Sequence, residues 1–107
     1  MARYLLEATY STEGLMGLIA AGAKSRLQAV DDLASSVGGS IVSFDFANGG
    51  GDVYLVCDLP DDEAAAAITL TVGASRALST FKLTKLFSAE QIEVATSRNA
   101  TYVPPGG

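Results

Sequence analysis

An α+β sandwich is the fold this sequence predicts: a four-stranded antiparallel sheet with helices on one of its faces. Three observations carry that reading. Ser40 to Leu59 holds two apolar runs, Ile41–Ala47 and Val53–Leu59, rich in the Val, Ile, Phe and Tyr that suit a pleated surface. Asn48-Gly49-Gly50-Gly51-Asp52 joins them with residues that accept tight-turn backbone angles, so the pair reads as a β-hairpin. One further alternating segment stands on each side, Arg3–Tyr10 and Ala77–Phe87, and helical periodicity separates each from the hairpin.

Taken in order, Arg3–Tyr10 places Tyr4, Leu6, Ala8 and Tyr10 on one face and Arg3, Leu5, Glu7 and Thr9 on the other. Ser11 or Thr12 then caps a helical region from about Glu13 to Val37. Its apolar stripe is Leu15, Leu18, Ile19, Leu27, Val30, Leu33, Ala34 and Val37. Glycines weaken the first half, so a break is expected near Ala21–Ala23, and Gly38-Gly39 ends the helix. In the hairpin, Val42, Phe44 and Phe46 share a face, as do Tyr54 and Val56. The second strand is apolar on both sides, which places it mid-sheet and covered twice. Asp61 caps a second helix, Ala64–Val72, whose alanines allow close approach to the sheet. After the last long strand, Ser88 to Gln91 has capping-box spacing for a short helix with Ile92 and Ala95 facing inward. The order is βαββαβ plus a short C-terminal helix, the ferredoxin-like split βαβ pattern. One domain is expected over residues 1–96, with 97–107 as a tail.

Composition narrows function. The chain has 107 residues, enough for one core without metals or disulfides. Only 18% are charged, and the net charge is −5. The seven basic residues are scattered, so nucleic acid is not an expected partner. No apolar run is long enough to span a membrane, and the N-terminus alternates instead of forming a signal peptide. There is no histidine, which removes Ser–His triads, His-based zinc sites and His-ligated haem. No metal or other cofactor is expected. The single Cys57 reads as a buried apolar residue, and a cytoplasmic location follows.

Two helices cover one face of a four-stranded sheet. The other is expected to carry Leu5, Ile41, Val53, Leu55, Cys57 and Leu78 among Arg3, Glu7, Asp45 and Lys82. Half apolar and half charged, it reads as the interface of a homodimer or higher even-numbered oligomer. Leu5, Glu7, Val53, Leu55 and Lys82 are its candidate contacts, with Glu7 and Lys82 as neighbours able to pair. Tyr4, Tyr10, Phe44, Phe46 and Tyr54 fall on expected helix-facing positions. They read either as ordinary core or as the wall of a gap that holds a small apolar ligand. Arg76 is a candidate carboxylate contact at the mouth of that gap, or a solvated surface residue. The Asn48–Asp52 loop reads as a hairpin turn with Asp52 capping it, against an anion-binding nest as the other possibility.

From Phe44 to Val56, followed by Asp58-Leu59-Pro60-Asp61, the chain resembles the GYD family of small bacterial proteins. Tyr10-Ser11-Thr12-Glu13-Gly14, Ala64–Ala67, Val72-Gly73-Ala74 and Thr84-Lys85-Leu86-Phe87-Ser88 fit as well, so the resemblance covers about residues 2 to 96. The Gly-Tyr-Asp signature stands here as Gly50-Gly51-Asp52, with glycine in the aromatic position. The resemblance implies a ferredoxin-like domain that assembles as a dimeric α/β barrel, and no established activity. Two functions compete. One is an oligomeric domain with no chemistry of its own, either purely structural or binding a small apolar or aromatic ligand between helices and sheet. The other is a cofactor-independent monooxygenase or isomerase, whose base would be Glu7, Asp45 or a tyrosine.

Overall fold

A computed structural model describes residues 1–107. The elements are β1 (Ala2–Tyr10), α1 (Thr12–Ala21), α2 (Ala23–Ser36), β2 (Ser40–Phe46), β3 (Val53–Leu59), α3 (Asp62–Gly73), β4 (Leu78–Leu86) and α4 (Ala89–Thr96). The sheet order is β2-β3-β1-β4, and every neighbouring pair is antiparallel. This is the ferredoxin-like arrangement expected from the element order.

Local chemistry sets the boundaries. The Ser11 hydroxyl caps α1, accepting from the Gly14 N–H at 3.1 Å. The same hydroxyl donates to the Arg76 carbonyl at 2.6 Å, and the Ser11 N–H donates to the Ala77 carbonyl at 2.9 Å. The start of α1 is thereby pinned to the loop before β4. Only glycine fits there, because a methyl at Gly14 would overlap the Ala77 carbonyl. Gly22, with φ of 92°, separates α1 from α2 at the expected break. Asp61 caps α3 through the Ala64 N–H at 2.8 Å. Ser88 and Gln91 form the capping box of α4.

The core lies between the sheet and α3. It joins Tyr4 and Leu6 of β1 and Leu55, Cys57 and Leu59 of β3 to Ala64, Ala65 and Ile68 of α3. The faces of β3 are the reverse of those expected. Val53, Leu55, Cys57 and Leu59 are buried under the helices, and Tyr54, Val56 and Asp58 lie on the open face. Val53 to Cys57 is apolar at every position, so its own pattern does not choose a side. Register with β1 does: Cys57 lies opposite Tyr4, Leu55 opposite Leu6 and Val53 opposite Ala8. Val53 and Leu55 are therefore core residues and not open-face contacts. Tyr54 is correspondingly not helix-facing.

Two irregularities shift other residues. A bulge between Ile41 and Ser43 puts Ile41 on the same side as Phe44, under the helices. A second, between Thr9 and Tyr10, places Leu78 opposite Tyr10 and on the helix side. Glu7 and Lys82 do lie opposite each other, as do Leu5 and Val56, on the open face. Yet Glu7 and Lys82 form no ion pair. Arg3 instead grips Asp58 with two bonds, at 2.9 and 3.1 Å, and Lys85 reaches Asp62 at 3.0 Å.

The expectation that α4 turns Ile92 and Ala95 inward also fails, because every residue of α4 is exposed. The structure docks α4 on neither face of the sheet, and Ile92 and Val94 stay about half exposed. The molecule measures 57 × 34 × 23 Å, and its radius of gyration is 16.9 Å. A compact chain of this length has about 13 Å.

Candidate functional site

The gap anticipated between helices and sheet is present as a chamber of about 320 Å³ between α2, α3 and the sheet. Well-packed cores hold few voids larger than a water molecule, whereas ligand pockets begin near ~300 Å³. Small side chains make the room. Ala29 and Ala34 on α2 face the same space as Thr71 and Val72 on α3. Leu6, Phe44, Leu55 and Phe81 form its floor. Apart from Arg26, Thr71 and Ser75, every lining residue is counted apolar, Tyr10 among them.

Two of the six anticipated ligand contacts reach the chamber: Tyr10 and Phe44. Burial pushes the Tyr10 hydroxyl upward from its ordinary value; the Arg26 charge opposes that shift and Asp52 adds to it. Tyr4 is on the helix side but belongs to the packed core. Its hydroxyl donates to Asp62, which holds it at about 12 together with burial. Phe46 lies outside the lining, exposed on the edge strand, with its ring edge-on to Phe44 at 5.1 Å between centroids. Tyr54 is on the open face, and its hydroxyl accepts from the Gly51 N–H at 3.3 Å. Arg76 is exposed, with φ of 63°, and does not line the chamber.

Arg26 takes the position that Arg76 was expected to hold. It lies on α2 at the chamber and at an adjoining cleft with Glu13, Gly17 and Ser25. Sequence reasoning passed over it because Leu27 fitted the stripe, but Leu27 is exposed. Counting back four from Val30 and seven from Leu33 reaches Arg26, which is the signal that finds it. Cys57 is also in the lining, 1% exposed, and burial pushes its thiol up to about 11. It is a small buried wall residue, as anticipated, though on the helix side of the sheet and not the open face.

The glycine loop ties strands together. The Asp52 carboxylate accepts from the Tyr10 N–H at 2.9 Å, and the Asp52 N–H donates to the Ala8 carbonyl at 2.8 Å. The loop is thus a hairpin turn, but Asp52 serves the end of β1 and not the turn itself. Gly50 and Gly51 sit against the Tyr54 hydroxyl. No group of acidic, cysteine or histidine side chains is placed to hold a metal ion.

Fold and site together define a ferredoxin-like α+β domain with an apolar chamber between its layers and one cation at the rim. The GYD domain model matches residues 4–95, and the chain belongs to that family. Comparison with curated proteins and with solved structures finds no match. No helix is long and apolar enough to cross a membrane.

Proposed function

We propose that this protein is an oligomeric binding domain that holds a small apolar or aromatic molecule between its helices and sheet. The chamber carries the proposal. A largely apolar space of about 320 Å³ offers water few partners, so filling it with an apolar body is favourable. The oligomer is a homodimer joined through the open face, where Leu5, Tyr54 and Val56 are the apolar contacts among Glu7, Asp45 and Lys82. The setting is a bacterial cytoplasm, in keeping with one unpaired, buried cysteine.

Binding is favoured over catalysis by placement. Glu7 and Asp45 lie on the open face, across the sheet from the chamber. Tyr10, the titratable hydroxyl at the chamber, is shifted upward and suits donation better than proton abstraction. Native mass spectrometry of freshly purified protein tests the proposal. An even-numbered oligomer carrying a small molecule, or one that takes up 2-naphthylmethanol saturably, is expected. A monomer with no bound mass and no uptake would end it.

A further inference from the structure

Arg26 lines the chamber and carries a buried polar atom with no answer. Its Nε is shielded from solvent and has no hydrogen-bond partner. The ion pairs in the chain are Arg3–Asp58 and Lys85–Asp62, so no carboxylate neutralises it. Two carboxylates are near its surroundings. Glu13 lines the adjoining cleft, and Asp52 is engaged by the Tyr10 N–H. Neither bonds Arg26. The start of α2 adds to the positive field instead of relieving it. The other three helices carry an acidic residue in the first turn, where the dipole favours one. In α2 there is none, and Lys24 and Arg26 stand near that end. A buried donor left unpaired is costly, and a guanidinium matches a carboxylate with two parallel bonds.

We infer that the chamber takes a small monocarboxylate, an aromatic or short-chain apolar acid whose carboxylate is bound by Arg26. The inference rests on the proposed reading of the chamber as a ligand site. The apolar body lies over Leu6, Phe44, Leu55 and Phe81. The carboxylate pairs with the Arg26 guanidinium where it lines the chamber, and Tyr10 at the same chamber is a second donor. A polyanion is excluded, because the remaining wall offers only Thr71 and Ser75 as further polar side chains.

The test compares 2-naphthoate with 2-naphthylmethanol, which share a ring system and differ in charge, by calorimetry on the full chain at neutral pH. The acid is expected to bind about tenfold or more tightly than the alcohol, the ratio that one charge-assisted pair supplies. Arg26→Met is expected to lose about that factor for the acid and to bring the acid-to-alcohol ratio close to one. Arg26→Lys should recover part of it, since an ammonium keeps the charge without the fork. If Arg26→Met loses its circular dichroism, the wild-type ratio and Arg26→Lys decide alone. Equal binding of acid and alcohol, undisturbed at Arg26, overturns the carboxylate inference and leaves the chamber reading standing. Refusal of both probes overturns the chamber reading itself.

Discussion

Asp52 joins two strand ends through one carboxylate, so its removal should be felt. Asp52→Ala leaves the part-buried Tyr10 N–H without its acceptor, a loss of about 1–3 kcal/mol in urea unfolding. Asp52→Asn keeps an acceptor and should lose less; equal losses would show that the bond is not what Asp52 supplies. Two glycines in one helix should respond with opposite signs. Gly14→Ala forces a methyl against the Ala77 carbonyl and should cost about 1–3 kcal/mol. Gly17→Ala meets nothing within 4 Å and should stabilise by up to about 1 kcal/mol through helix propensity. The Tyr4–Asp62–Lys85 cluster sets a pH dependence. Hydrogen bonds from Tyr4 and then Lys85 hold Asp62 below its ordinary 3.8, and the bond from Arg3 does the same for Asp58. Unfolded chains therefore take up protons more readily than folded ones near that value, and stability falls as pH drops through it. Tyr4 is raised from 10.0 to about 12, so across that interval the folded chain keeps a proton that the unfolded chain releases. Stability falls again as pH rises there. Urea midpoints against pH should show both arms, and Tyr4→Phe should make the alkaline arm shallower, leaving the part that Cys57 and Tyr10 contribute, and weaken the acid one. At this scale Cys57 was legible from its apolar neighbours. Arg26 was not, because a charged residue within an apolar stripe looks like a solvated interruption until the stripe is seen to close a chamber.

Caps and breakers made the elements legible. Ser11, Gly22, Asp61 and Ser88 mark helix ends by chemistry that acts within a few residues, and the structure has them there. Facing was harder, since a shift of one residue turns a whole strand over. In β1 the polar Arg3, Glu7 and Thr9 alternate with buried Tyr4, Leu6 and Ala8, and its faces were read correctly. In β3 every position from Val53 to Cys57 is apolar, so the side is chosen by pairing with β1 and by α3, both distant in sequence. The bulge near Val42 then separates Ile41 from the face its spacing suggests. A matched pair of variants checks the corrected facing. Leu55→Asp places a carboxylate in the core and should cost several kcal/mol, enough to unfold a marginal domain. Val56→Asp lies on the open face and should keep native far-UV dichroism and a cooperative melt. A folded Leu55→Asp beside an unfolded Val56→Asp would restore the original facing.

The whole molecule is long for its size, and its length comes with uncovered apolar surface. Phe87, Ile92 and Val94 at the C-terminal end are all about half exposed or more, and Tyr102 and Val103 beyond them more so. Across the sheet, Leu5 and Val56 form an apolar pair on a face that no helix covers. A chain with only 18% charged residues has few means of keeping such surface in water. In the proposed dimer a second copy would meet the first face to face, covering both sheets at once and burying β3 on its second side. In that proposed arrangement register would be set by charges, Glu7 and Asp45 of one sign and Lys82 of the other, while Arg3 and Asp58 satisfy each other within a chain. Sedimentation velocity should therefore find a particle of twice 11.0 kDa, or an even multiple of that. Val56→Asp should convert it to a folded monomer, because two opposed copies would bring buried carboxylates together without partners. Lys82→Glu should weaken the dimer less, since a rim charge governs approach more than residence. A dimer indifferent to Val56→Asp but lost on removal of residues 89–107 would move the interface from the sheet to the C-terminal arm.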